Sequence, residues 1–381
     1  MIIMRPNTLL STILLGTLTC QGASVSMPSL LGHSLVGTVS MELVDESRID
    51  PYAPTPQPRD LMISVFYPVQ HVRRYHLANA YTNLYAGYLD TLAALVPGTA
   101  KTIVSQAYQG AHLHQSASDV PPIIIFSPGY TGSRVDHTQT LSNLASHGYL
   151  VIGVDHPYDT GFVDYPDGRT AVNYKSLVDN DEDRVAAQEV RVKDIQFVLN
   201  TLATNATAAR QIPGVHGALK AARVGIFGHS FGGAATANTL AVDLRFVCGA
   251  NMDGSVYGPA LSTGIDKPLM FFDTGPIHNR TTDTTWSILW EKLHGFKLEL
   301  SFEGATHVAF SDQAVLYDYL RALDLIPSLG DFFGSIMGER MLELEYAYLT
   351  SFFDRCLRHG GGELLDGPSA KYPEVFYWPA S

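Results

Sequence analysis

Apolar and polar positions recur along this chain with two periods. Residues 34–43 and 61–67 alternate in the period-two manner of strands, and the proline-rich stretch 52–59 between them breaks the pattern as a loop. Further on, 122–126, 149–154, 223–227, 248–252, 268–272 and 297–302 read as further strands, several of them continuous apolar runs. Helical spacing fills the intervals at 138–147 (closed by Gly148), 182–202 and 233–241. Strands apolar on both faces, alternating with helices, predict an α/β architecture: a mostly parallel central sheet with helices on both faces. Residues 71–118 carry no strong strand pattern but show helical spacing at Tyr85, Leu89, Leu92 and Leu95, so they read as an inserted helical, lid-like segment. Residues 313–358 read as helical, ending at Gly360.

Composition places the chain among globular proteins: 46% of its 381 residues are apolar and 16% charged. A formal charge of −12 repels phosphate backbones and argues against nucleic-acid partners. Residues 1–23 have the form of a signal peptide, with Arg5 ahead of the apolar stretch 9–18 and small residues at Gly22, Ala23 and Ser24. The expected mature chain, 24–381, is then one secreted, extracellular domain. No later run is long and apolar enough to predict a transmembrane segment. Of the cysteines, Cys20 leaves with the signal, and Cys248, inside an apolar run, is expected as a buried free thiol rather than a partner of Cys356. Asn-x-Thr sequons at Asn205 and Asn279 lie in polar stretches and are candidate glycosylation sites.

The strongest chemical signal is Gly228-His229-Ser230-Phe231-Gly232, a G-x-S-x-G motif between a predicted strand and a predicted helix. That context is the nucleophile elbow of the α/β-hydrolase fold, where a sharp turn lifts the serine hydroxyl clear of the sheet and glycines leave room for the turn. Chain order in this fold is Ser, acid, His, which selects His307, just past the last apolar strand. His278, beside a sequon, and His294 read as surface or core histidines. Two carboxylates end strands in the required interval, Asp253 and Asp273. Position alone slightly favours Asp273, because the acid usually follows the strand two after the nucleophile. The oxyanion needs two backbone N–H donors, and the candidates are Phe231, directly after the serine, and Tyr130, in the loop Ser127-Pro128-Gly129-Tyr130. No zinc-type spacing and no EF-hand loop occurs, so neither metal nor cofactor is expected.

Four segments together resemble the platelet-activating factor acetylhydrolases, the lipoprotein-associated phospholipases: 125–130 (IFSPGY), 144–149 (LASHGY), 228–234 (GHSFGGA) and 245–253 (RFVCGANMD). The resemblance spans roughly residues 61–320. It implies the α/β-hydrolase fold, Ser230 as nucleophile, His307 as base, and Phe231 and Tyr130 as oxyanion donors. It also implies Asp253 as the acid, against the positional preference for Asp273. The expected activity is hydrolysis of the sn-2 ester of phospholipids bearing short or oxidised acyl chains. The chain departs from the family at Pro128, where histidine is usual, and at Val308-Ala309-Phe310, where the mammalian members are more polar. The second departure puts acyl-chain preference in question and keeps an alternative open, a polyesterase or a hydrolase of small esters or lactones. A non-enzymatic carrier on the same fold is disfavoured by the intact triad. The Tyr- and Leu-rich stretch 81–96 has two readings, packing on the core or peripheral contact with a lipid surface.

Overall fold

Every residue of Ile123–Ser127 and of Leu150–Val154 is buried, as the continuous apolar runs require. The structure is a computed structural model that describes residues 24–114 and 121–379; the expected signal segment, Cys20 included, lies outside the described residues. Its strands are Val25–Ser26 (β1), Leu35–Ile49 (β2), Pro58–Val69 (β3), Leu77–Asn79 (β4), Ile103–Gln109 (β5), Ile123–Ser127 (β6), Leu150–Val154 (β7), Phe162–Asp164 (β8), Thr170–Val172 (β9), Val224–His229 (β10), Phe246–Met252 (β11), Leu269–Asp273 (β12), Lys297–Phe302 (β13) and Val375–Tyr377 (β14). Its helices are Asn83–Leu92 (α1), Thr138–Ser146 (α2), Asp181–Thr204 (α3), Ala206–Ala209 (α4), Phe231–Val242 (α5), Ala260–Thr263 (α6), Thr284–Trp290 (α7), Asp312–Ala322 (α8) and Gly338–Phe353 (α9).

A twelve-stranded sheet runs in the order β1-β5-β2-β3-β7-β6-β10-β11-β12-β13-β14, with β4 paired to β5. From β7 through β13 all neighbours are parallel, while β3 is antiparallel to both β2 and β7. Side chains on each strand alternate between two apolar layers. Ile123 and Ile125 join a core with Ile195, Val198 and Leu202 of α3 and Trp286 of α7. Ile124 and Phe126 face the other way, onto Leu141 and Leu144 of α2 and Tyr348 and Phe352 of α9. Both faces of the sheet's centre are therefore covered, which is why β6, β7 and β10 are buried throughout. After β6 the chain moves outward to β7, then returns to the other side at β10. Neighbouring strands whose connections depart in opposite directions leave a crevice at their carboxyl ends, the usual place for a ligand in such sheets.

Three expectations need correction. Residues 71–114 are not chiefly helical: α1 is flanked by β4 and by β5, and β5 adds to the main sheet beside β2. The run Ile-Val-Ser-Gln-Ala-Tyr-Gln of β5 alternates buried and half-exposed positions, but its Ser and Gln weaken the apolar signal. The C-terminal helical region is two helices, α8 and α9, separated by non-helical residues 323–337 and followed by a wide turn over Asp354–Arg358. Cys248 is not a free thiol. It is bonded to Cys356, 108 residues away, and so fastens the end of α9 to the strand that leads into Asp253. A contact at that separation leaves no trace in local sequence.

Removing a bridge that closes a loop of this length widens the unfolded ensemble. Replacing Cys248 and Cys356 together by serine is expected to lower the unfolding free energy by about 2–5 kcal/mol. Chemical denaturation of the two proteins under oxidising conditions measures this, and equal midpoints would show that the bridge adds nothing to stability.

Candidate active site

Ser230 sits between β10 and α5 with φ 56° and ψ −123°, a backbone conformation that side chains other than glycine rarely adopt. Its own N–H donates to the carbonyl of Met252 (2.8 Å), and its carbonyl accepts from Gly233 (2.8 Å), so the strained residue is held at both ends. The turn is too tight for side chains around it. A Cβ on Gly228 would overlap the carbonyl of Gly232, and one on Gly232 would overlap the carbonyl of Ser127 at the end of β6. The expected steric logic of the motif is thus realised, and it brings the β6 loop against the serine.

Ser230 Oγ lies 2.8 Å from His307 Nε2, and His307 Nδ1 lies 2.5 Å from Asp253 Oδ2. The carboxylate side chain is 2% exposed and the imidazole 48%, so a dry anion backs a base that opens to the cleft. Asp273 is not part of this arrangement. It accepts from Gly275 N (2.7 Å) and from Ser301 Oγ, and burial together with Glu299 nearby pushes its carboxyl up to about 7. Asp253 also has a positive φ, 58°, and its N–H is tied to Phe272 O at 2.8 Å.

A residue that sequence reasoning set aside completes the surroundings of the acid. His278 Nδ1 lies 2.7 Å from Asp253 Oδ1, and its Nε2 lies 2.8 Å from Asp283 Oδ2. Burial works against charge on this ring, but the two carboxylates prevail and raise its pKa to about 10. For Asp253 the burial penalty is likewise overcome, first by His278 and then by His307, and its carboxyl is held below the ordinary range. His229 inside the motif has a different task. Its Nε2 donates to the carbonyl of His307 (2.7 Å) and fixes the backbone that carries the base. Burial above all, with His307 and His137 nearby, keeps that ring neutral.

Neither the Phe231 N–H nor the Tyr130 N–H has a protein acceptor among the described residues, which leaves both available to a substrate oxyanion. The Tyr130 hydroxyl accepts from Asn173 Nδ2 (3.1 Å) and Leu177 N (3.0 Å). Underneath, the buried Arg191 of α3 donates to the carbonyls of Pro128 and Gly129 (3.1 Å for the latter) and pairs with Asp159. One turn before it, Gln188 donates to Phe231 O at 2.9 Å. Three residues apart on a helix, Gln188 and Arg191 share a face, so one helix stripe holds both sides of the donor pair. The sequence signal for them is weak: two buried polar residues within a mixed amphipathic pattern.

Two clefts meet at Ser230 and His307. One, of about 660 Å³, is lined by Phe231, Tyr257, Ile277, His278 and Arg184; the other, of about 560 Å³, by Tyr85, Tyr88 and Leu92 of α1 and by Val172 and Val308. Part of the 71–118 segment therefore does line the site. The sequon at Asn279 is corrected as a surface site: the side chain is buried and its amide donates to Gly275 O at 2.7 Å. Asn205 is exposed at the junction of α3 and α4.

Sheet order and elbow define the α/β-hydrolase fold, and the comparisons with known proteins place the chain among its carboxylic ester hydrolases. Over residues 75–322 the chain matches the family model described as platelet-activating factor acetylhydrolase, isoform II, and it belongs to that family. A probable 1-alkyl-2-acetylglycerophosphocholine esterase of Arthroderma benhamiae is 32% identical over 93% of this chain and 94% of its own length. The platelet-activating factor acetylhydrolase of Cavia porcellus is 30% identical over 40% of each chain. Among solved structures, a ferulic acid esterase from Streptomyces cinnamoneus superposes with a TM-score of 0.78 at 29% identity, covering 94% of this chain and all of its own.

The geometry separates the two carboxylates sharply. Asp253→Asn is expected to lower kcat on an aryl ester by about 10⁴-fold, because the imidazole loses its orienting anion. Asp273→Asn should stay within about tenfold of the parent. Steady-state kinetics of the purified variants decides, and the reverse ranking would move the acid to Asp273.

Proposed function

We propose that this protein hydrolyses the sn-2 ester of phospholipids carrying a short or oxidised acyl chain, with Ser230 as nucleophile. The observation that carries the reading is the linked chain Ser230–His307–Asp253, set in a family whose relatives are named for acetylglycerophosphocholine esters. In the reaction His307 Nε2 takes the proton of Ser230 as Oγ attacks the ester carbon. The N–H groups of Phe231 and Tyr130 stabilise the oxyanion. His307 then gives its proton to the departing alcohol, leaving an acyl-serine, and a water activated by the same imidazole releases the acid. Asp253 holds His307 with Nδ1 protonated and steadies the imidazolium.

Secretion is part of the same reading. It is supported by the signal-like sequence and by a disulfide, which persists in oxidising compartments. No helix among the described residues is long and apolar enough to cross a membrane. Leu84, Leu92 and Val96 are exposed on and after α1, and Leu92 lines one cleft; this surface would suit peripheral contact with lipid. Glycosylation at Asn205 fits an extracellular chain.

A second reading has a specific observation behind it. The cleft at Phe231 and Tyr257 is aromatic and mostly apolar, and the ferulic acid esterase matches the chain along nearly its whole length. Small aromatic esters are the corresponding substrates.

The two readings part in one assay. Under the first, kcat/KM for a phosphatidylcholine with an sn-2 acetyl group should exceed that for a long-chain sn-2 phosphatidylcholine by at least about a hundredfold, and that for methyl ferulate likewise; Ser230→Ala should remove on the order of 10⁶ in kcat. Turnover of methyl ferulate with neither lipid cleaved would transfer the assignment to aromatic esters. Full activity of Ser230→Ala would refute the nucleophile for both.

A further inference from the structure

Both oxygens of the Asp253 carboxylate are bound by imidazoles, Oδ2 by His307 at 2.5 Å and Oδ1 by His278 at 2.7 Å. His278 in turn reaches Asp283 at 2.8 Å through its other nitrogen. A carboxylate only accepts, so a ring placed between two of them must donate from both nitrogens, which is the protonated, cationic form. The ring is built in firmly. Asp283 also accepts from Ser255 Oγ (2.5 Å), Thr285 N and Thr285 Oγ1 (2.7 Å each). Trp286 of α7 packs against the imidazole, with ring centroids 4.6 Å apart, and its indole N–H donates to Gly254 O, beside Asp253, at 2.7 Å. Buried Asn279 closes the loop that delivers the histidine.

We propose that His278 is a positioning residue of the hydrolytic centre, a fixed cation that locks the Asp253 carboxylate and lowers the proton affinity of His307, extending activity toward acidic pH. The proposal rests on the reading of Ser230, His307 and Asp253 as the catalytic chain. Its physics is charge sharing. An anion next to an imidazole stabilises the protonated ring, and a second cation on the same anion weakens that effect. His307 serves as base only when neutral. With His278 charged, His307 gives up its proton at lower pH than it would beside Asp253 alone.

The other charges around the pair leave this sign unchanged. Glu299 of β13, the next anion toward His278, is bound by Arg280 through its guanidinium (3.3 Å) and its backbone N–H (2.8 Å). Asp273 on β12 is held toward its neutral form by burial. His229, whose ring centroid is 4.7 Å from that of His307, is kept neutral by burial. Arg184, across the cleft, pairs with Asp181 at 2.6 Å.

The test uses p-nitrophenyl acetate, followed at a pH-independent wavelength, so that neither the lipid nor the aromatic-ester assignment enters. His278→Asn keeps a donor near the Nδ1 position but removes the charge. Its acid limb of kcat/KM should move up by roughly one pH unit, and its alkaline plateau should fall less than that of His278→Ala. His278→Ala removes the hydrogen bond too, and its plateau should fall about ten- to a hundredfold. An acid limb in His278→Asn that is unmoved, or moved down, overturns the proposal. If the variants misfold, NMR titration of the parent's imidazoles decides instead. His278 should remain protonated well above the ordinary histidine value of about 6.5, and loss of its proton near that value overturns the proposal. Activity surviving in Ser230→Ala would instead indict the catalytic chain itself, a result distinct from either.

Discussion

The structure turns on the backbone of Ser230. A serine at φ 56° and ψ −123° costs of order 1–3 kcal/mol and persists only where its surroundings leave no alternative. Here the surroundings are a strand end, a helix start and the tip of β6, packed so closely that Gly228 and Gly232 leave no room for a Cβ. The close packing does more than tolerate the turn. It brings the β6 loop against Ser230, so that Phe231 and Tyr130 line the same cleft, where the proposed mechanism uses their N–H groups as oxyanion donors.

The loop from β6 would be free to drift without an anchor, and the anchor is a set of buried charges. Arg191 grips the carbonyls of Pro128 and Gly129 and pairs with Asp159. Ser127 bonds His156 (3.0 Å), His156 bonds Asp194 (3.0 Å), and Asp194 pairs with Arg59, which also holds Asp50. Ser127, His156 and Asp194 form a second serine–histidine–carboxylate chain, but all three are sealed in the interior, so the chain meets no substrate. Buried ion pairs add little net stability over an apolar core, whereas loss of one partner strands a charge at high cost. The gain here is geometric: α3, β3, β6 and the loop after β7 are tied to one position beneath the oxyanion donors.

Much of this was legible in the sequence because it is local. The strands β6, β7, β10 and β12 announce themselves as apolar runs, β13 by alternation, and the elbow is carried by five consecutive residues. What was missed is either polar within a regular element or distant in sequence. β5 mixes Ser and Gln into its strand and was read as part of a helical insertion. The Cys248–Cys356 bond depends on where α9 ends, 108 residues from its partner strand. Asn279 stands in a polar stretch but folds inward, because its amide is needed inside the loop it belongs to. Gln188 and Arg191 look like ordinary helix polar residues until the loop they hold is placed above them.

The two strand-end carboxylates show the limit of positional reasoning most clearly. The strand two beyond the nucleophile, β12, does end in a carboxylate, and by chain order Asp273 is as eligible as Asp253. The decisive factor is solvation and partners rather than position. Burial above all, with Glu299 nearby, outweighs the hydrogen bond from Ser301 and holds Asp273 toward a protonated acid unable to stabilise an imidazolium. Asp253 is equally dry but meets two imidazoles, which favour the anion. The loop after β12 still contributes to the centre, since it delivers His278 to the far side of Asp253. In the proposed site the carboxylate stands one strand inward, and the segment after β12 supplies the imidazole that binds it.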